Sequence, residues 1–175
     1  KAACRDARVQ RLRIAEINSA GNLHKHLKRC PGLRYSEYGS RDPAVPSEDL
    51  TQLSYADASF DLATTSDVME HVPDPDLAWR EVHRILKPGG AYVFSIPVVW
   101  DRPTRQRAQM RDGTVVHLLP PSHHGAAGEG RHDMLVFNEF GGDVVDRCRA
   151  AGFEVELLRE AVNPALVTFI ARRAA

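Results

Sequence analysis

Hydrophobic positions along this chain fall into short runs separated by turn-forming residues, and the period of the runs changes from one segment to the next. Residues 11–18 read RLRIAEIN, an apolar stretch that closes on polar residues, and 21–29 follows with Leu23 and Leu27 four apart. The pattern predicts strand, turn, helix. Leu33 to Tyr38 alternates apolar and polar side chains before Gly39-Ser40, as a second strand does, and Arg41 to Glu48, with Pro43 and Pro46, reads as a loop. Phe60 to Thr65, entered through Asp57-Ala58-Ser59, predicts a buried strand.

The most sharply bounded element is a helix. Asp74 stands at the N-cap ahead of Pro75 at the first helical position, and the segment runs to Lys87 before Pro88-Gly89-Gly90. Leu77, Ala78, Val82, Ile85 and Leu86 fall on one face at helical spacing, with Arg80, Glu81, Arg84 and Lys87 on the other, so one face packs on a sheet. Ala91 to Val99, rich in β-branched and aromatic residues, predicts the next buried strand. From Trp100 to His132 the pattern breaks into Pro, Gly, His and Arg apart from Val115 to Leu119, and long irregular insertions carry function more often than not; about 100–135 is therefore a substrate-side insertion. Val144, Val145, Cys148 and Ala151 mark a helix stopped by Gly152, and strands at Phe153 to Leu158 and Leu166 to Ala171 end the chain. This order predicts an α/β fold: a doubly wound, mostly parallel sheet with an antiparallel C-terminal strand pair.

A length of 175 residues suits one domain spanning 1–175 around a single core. Lys plus Arg equals Asp plus Glu at 23 each, so no net field recruits nucleic acid or an anionic membrane, and no apolar run approaches the roughly 20 residues that cross a bilayer. A small-molecule partner and a cytoplasmic location are expected, with no signal core at the start; the chain opens on Lys1, which leaves room for an upstream segment. Cys4, Cys30 and Cys148 are odd in number and form no CxxC pair, which argues for reduced thiols rather than a disulfide framework or a thiolate metal site.

The stretch FDLATTSDVMEHVPDPDLAWREVHRILKPGGAYVFSIP, Phe60 to Pro97, resembles the fourth-strand to fifth-strand block of class I S-adenosylmethionine-dependent methyltransferases of the type 11 kind. Ser59, Phe60, Asp61, Glu70, His71, Val72, Leu86, Lys87, Pro88, Gly89 and Gly90 carry the match, and Asp49 to Asp61 resembles the family's adenine-side loop. The resemblance implies a Rossmann-like fold, S-adenosyl-L-methionine as cofactor, and a site at the carboxyl ends of the strands. On it, Glu16 orients the amino end of the cofactor from the first strand, and Asn18 and Gly21 belong to the turn that follows, which reads Asn18-Ser19-Ala20-Gly21-Asn22 where the family has GxGxG. Glu37, 21 positions after Glu16, takes the ribose hydroxyls with Tyr38 beside it. Asp49 and Leu50 contact the adenine, and Ser66 and Asp67 line the methionine portion.

Plainer readings stand beside these. Glu16 and Glu37 are also ordinary strand ends, Asn18, Gly21 and Asp67 ordinary turn residues. His71 is a general-base candidate by its ordinary pKa, or a wall of the pocket. His117, His123, His124 and His132, with Asp133, crowd the insertion as loop histidines or, at no recognised spacing, as metal ligands; no metal is expected. Trp100, Arg102, Arg105 and Arg107 either grip an anionic acceptor or form a solvated basic face, while Met69, Trp79 and Cys148 read as packing residues. The function that follows is methyl transfer to a hydroxyl or amine of a small polar acceptor, such as a sugar or natural-product intermediate. A degenerate methyltransferase fold acting as a binding or scaffold module is the alternative, and a nicotinamide-dependent oxidoreductase lacks both GxGxxG and a Tyr-x-x-x-Lys pair.

Overall fold

The computed structural model describes residues 7–19, 21–124, 134–159 and 167–175. Cys4, Ala20, His132, Asp133 and Leu166, all used in the sequence reading, lie outside them.

In chain order the elements are β1 (Ile14–Ile17), α1 (His24–Leu27), β2 (Leu33–Ser36), β3 (Phe60–Ser66), α2 (Pro75–Ile85), β4 (Leu86–Ser95), β5 (Val98–Val99), β6 (Arg105–Gln106), β7 (Ala108–Arg111), β8 (Thr114–His117), β9 (His123–His124), β10 (Met134–Leu135), β11 (Asn138–Gly141), α3 (Val144–Ala150), β12 (Phe153–Arg159) and β13 (Val167–Arg173). Six strands make the central sheet in the order β12-β13-β4-β3-β1-β2. β2, β1, β3 and β4 run parallel, and β13 turns antiparallel to β4 with β12 antiparallel to it. This is the expected doubly wound sheet with its antiparallel closing pair. The chain reverses sides next to β1, so the ends of β1, β2 and β3 open a crevice there.

α2 bears out its sequence signals at the N-terminus: Leu77 N donates to Asp74 Oδ1 at 3.0 Å, and Pro75 opens the helix. Ala78, Trp79, Val82 and Ile85 are fully buried against the sheet. On the other face, Arg84 donates to the Tyr55 and Leu53 carbonyls, and Leu53 N donates to Glu81 Oε2 at 3.0 Å, so these two side chains also clamp the loop before β3. The helix also ends two residues early, at Ile85, because buried Leu86 joins β4 opposite Phe60. A Cβ on Gly90 would come within 2.8 Å of the Lys87 carbonyl oxygen, so the Lys-Pro-Gly-Gly segment is an irregular strand entry that glycine permits. The strand expected to reach Val99 stops at Ser95, and Val98–Val99 pairs separately with β11.

The first helix is a single turn, shorter than the expected 21–29, and no side chain caps it. Pro31-Gly32 follows directly, and a Cβ at Gly32 would meet the Leu12 carbonyl oxygen at 2.1 Å. The described part of the insertion holds more regular structure than its composition suggests. β7 and β8 form a hairpin across Asp112-Gly113, at φ 49° and 75°, the conformation of a two-residue type I′ turn. Arg102 and Arg107 both reach Glu139, the latter at 2.7 Å, so of the expected basic face only Arg105 stands in solvent. Met69, Trp79 and Cys148 are buried as expected.

Candidate functional site

At the crevice, the turn after β1 begins in the left-handed region: Asn18 has φ 59° and Gly21 φ 57°, while Ser19 does not share it. Asparagine tolerates that conformation better than other residues with a Cβ, which is how a turn with one glycine is made here. Asn18 also ties two strand ends together, its N–H donating to Ser36 O at 2.9 Å and its Oδ1 accepting from Tyr38 N at 2.8 Å.

The two carboxylates expected to hold the cofactor are engaged by the chain itself. Glu16 is 0% exposed and its Oε2 lies 2.7 Å from His24 Nδ1. The His24 ring packs on Tyr35 at 4.6 Å, and the Tyr35 hydroxyl donates to the Glu37 carboxylate. Neither Glu16 nor Glu37 lines the cleft, and neither does Gly21. Ser66 and Asp67 also lie off it, knotted to the end of β4: Asp67, at φ 51°, donates from its N–H to Ser95 O at 3.0 Å, and the Ser66 and Ser95 hydroxyls meet at 3.1 Å.

Asn18, Tyr38, Asp49, Leu50 and His71 do converge, on one cleft of about 580 Å³. Asp49 Oδ1 accepts from Thr51 N and Thr51 Oγ1 at 2.8 and 2.7 Å, a local turn that holds the loop above β2. Beneath it, buried Glu48 accepts from Ser54 N at 2.9 Å. Ile17, Leu50 and Val68 give this end of the cleft an apolar floor suited to a flat ring, and the described lining residues include the carboxylates of Glu48, Asp49 and Asp74 with no lysine or arginine. A cleft so lined favours a cation with an apolar body, which is the chemistry of an adenosyl sulfonium. The adenosine end therefore fits the implied cofactor, whereas the acid of β1 is already bound by His24.

His71 sits in a one-turn 3₁₀ segment, Met69–His71, after β3. Its Nδ1 lies 2.9 Å from the Leu135 carbonyl oxygen, which can only accept, so the Nδ1 donates in this bond. Two further bonds join the same strands of chain: Phe137 N donates to Glu70 O and Asn138 Nδ2 to Val72 O, both at 2.8 Å. Glu70 carries no role in the sequence reading, yet it is only 2% exposed with Oε1 at 3.9 Å from His71 Nε2. Burial pushes its pKa up to about 7, and the Asp67 carboxylate acts in the same direction. The signal available in the sequence was a carboxylate set among Val68, Met69 and Val72. The insertion reaches the cleft through Met110, Val115, Met134 and Leu135, joined by Phe137 just after it, while His117 and His123 do not line it. Among the described residues no three His, Cys, Asp or Glu side chains gather as a metal site.

Comparisons with known proteins agree with this fold. Residues 22–94 match the family model described as a methyltransferase domain. The dimethylglycine N-methyltransferase of Parasynechococcus marenigrum is 36% identical over 92 residues, 49% of this chain and 31% of that protein. The chain spans less than a third of the length of the curated relatives it matches first. In structure, an S-adenosylmethionine-dependent methyltransferase from Mesorhizobium loti superposes with a TM-score of 0.57 at 21% identity, covering 93% of this chain and 91% of the other. The Burkholderia thailandensis 1,6-didemethyltoxoflavin-N1-methyltransferase, solved with S-adenosylhomocysteine, gives 0.56 at 17% identity over 93% of this chain and 71% of its own.

Proposed function

We propose that this chain, a class I, Rossmann-like methyltransferase domain by its family match and its fold, is an S-adenosylmethionine-dependent methyltransferase that acts on a hydroxyl or amine of a small molecule. The observation that carries the reading is the convergence of Asn18, Tyr38, Asp49, Leu50 and His71 on one cleft at the carboxyl ends of the parallel strands. S-adenosylmethionine supplies a methyl group made electrophilic by a positive sulfur. Asp49 and Leu50 would hold the adenine and Tyr38 the ribose; Glu37 would join the ribose by exchanging its bond from Tyr35, and Ser66 and Asp67, off the cleft and tied to the end of β4, would reach the methionine portion only by loosening those bonds. His71, its ring set by Leu135, accepts the acceptor's proton. Placement contributes more than the base, because the reaction needs chiefly an in-line approach. The domain acts as one unit over 1–175, and a cytoplasmic site of action belongs to the same proposal; no helix among the described residues is long and apolar enough to cross a membrane.

Isothermal titration with S-adenosylmethionine and S-adenosylhomocysteine tests this directly. Saturable binding by the intact chain, weakened at least about tenfold, or roughly 1.4 kcal/mol, in Glu37→Ala and in Asp49→Ala, is the expected result. Silence from both ligands on a folded sample overturns it in favour of a binding or scaffold module. One observation favours that second reading: the Glu16 carboxylate, which would meet the cofactor's amino end, is held by His24.

A further inference from the structure

One side of the cleft comes from the insertion, through Met110, Val115, Met134 and Leu135, and that side is apolar. Met110 and Val115 are directly opposed across the β7–β8 hairpin and so share one face of it. Met134 of β10 joins them on the wall, and the three are 45%, 37% and 38% exposed. A single exposed apolar side chain is unremarkable on any surface, but several converging on one cavity mark a place where something apolar is bound. Val72 and Leu77 face the same space from the sheet side.

Among the described residues, the polar side chains lining this end of the cleft are Asp74 and His71, while Gln106, Gln109 and Asn138 line a neighbouring hollow beyond Asp74 and Met110. The Asp74 carboxylate caps α2 through Leu77 N, and His71 is fixed on Leu135. His117 and His123 do not line the cleft. A sugar-like acceptor, the expectation from sequence, would lay several hydroxyls against this wall and lose their water without replacement partners. Methionine side chains are unbranched and polarizable, and they adapt to flat or irregular apolar bodies, aromatic ones above all.

We infer that the acceptor is an apolar aromatic molecule bearing a single hydroxyl or amine, its body seated on Met110, Val115 and Met134 and its nucleophile facing His71. The inference rests on the methyl-transfer reading of the same cleft. In the step, the acceptor oxygen or nitrogen forms a bond to the methyl carbon of S-adenosylmethionine as the carbon–sulfur bond breaks, its electron pair staying on sulfur. The proton released by the acceptor passes to His71.

The test uses 2-naphthol as the apolar probe and myo-inositol as the polar one, titrated calorimetrically into the intact chain and into Met110→Asp and Val115→Asp. Both substitutions lie on an exposed hairpin, and circular-dichroism melts establish that the variants are folded. Saturable 2-naphthol binding, weakened at least tenfold in each variant, with no binding of myo-inositol, is the expected result. Myo-inositol binding, or 2-naphthol binding that neither variant changes, overturns the inference, as does a dimer in analytical ultracentrifugation that Met110→Asp dissolves. S-adenosylhomocysteine is titrated separately into the unaltered chain. If it fails to bind while 2-naphthol binding stays sensitive to the variants, the methyl-transfer reading falls and the apolar site stands.

Discussion

On the β3–β4 side of the sheet, α2 lays Ala78, Trp79, Val82 and Ile85 on strands where Tyr92 stacks on Phe94 at 4.4 Å and Phe94 on Phe169 at 4.8 Å. On the β1–β2 side, the single turn of α1 brings only Leu27 and Cys30 against Ile14, with partly buried neighbours around them. The first side is a continuous core and the second a small satellite, although the end of β1 forms part of the cleft. Ile17, Leu50 and Val68 tie the floor of the cleft into the large core, while the turn after β1 is shaped by local bonds such as Asn18 to Tyr38.

Truncation on the two sides separates them most widely. Trp79→Ala removes a fully buried indole from the large core and is expected to cost roughly 3–5 kcal/mol, whereas Leu27→Ala, under a helix free to settle inward, falls near the low end for such changes, about 2 kcal/mol. Urea unfolding of both variants checks the ordering, and equal costs break the comparison.

Glu70 offers a second probe of the well-packed side. Its carboxyl titrates at about 7 in the folded chain against 4.5 ordinarily, so the folded state favours the protonated form. The stability tied to that proton is fully present below 4.5 and is lost as pH rises through about 7. Glu70→Gln keeps the neutral form at every pH, so its stability relative to the unaltered protein is expected to rise between pH 5 and pH 8 by on the order of 2–3 kcal/mol. Paired urea midpoints at the two pH values measure this, and a pH-independent difference removes burial as the cause.

The smallest expected effect is at the N-cap. Asp74→Ala deletes the acceptor of Leu77 N and is expected to cost about 1 kcal/mol by the same denaturant titration, with the m-value unchanged. A larger loss, with a changed m-value, means that the cap also holds the cleft wall together.

What could be read from sequence follows how local its cause is. The start of α2 was legible because Asp74 and Pro75 act within one turn, and β3, α3 and β12 because each carries its own periodicity and stops. The end of α2 was not, since Leu86 leaves the helix to pair with Phe60, a partner 26 residues away. The one-turn α1 yielded to the close approach of Gly32 to Leu12, which no periodicity reveals. In the site, Asn18, Tyr38, Asp49, Leu50 and His71 reach one cleft because the fold brings strand ends together. The bond between Glu16 and His24, and that between Glu37 and Tyr35, depend on where a short turn and a strand place their side chains. The Asp112-Gly113 hairpin was written in the sequence as a turn signal between apolar positions, but the wall it builds was hidden among prolines and histidines.

The three bonds that join Leu135, Phe137 and Asn138 to the segment from Glu70 to Val72 act as a latch. A substitution that loosens this edge therefore also loosens the imidazole, because the Leu135 carbonyl oxygen that holds the ring belongs to the same run of chain.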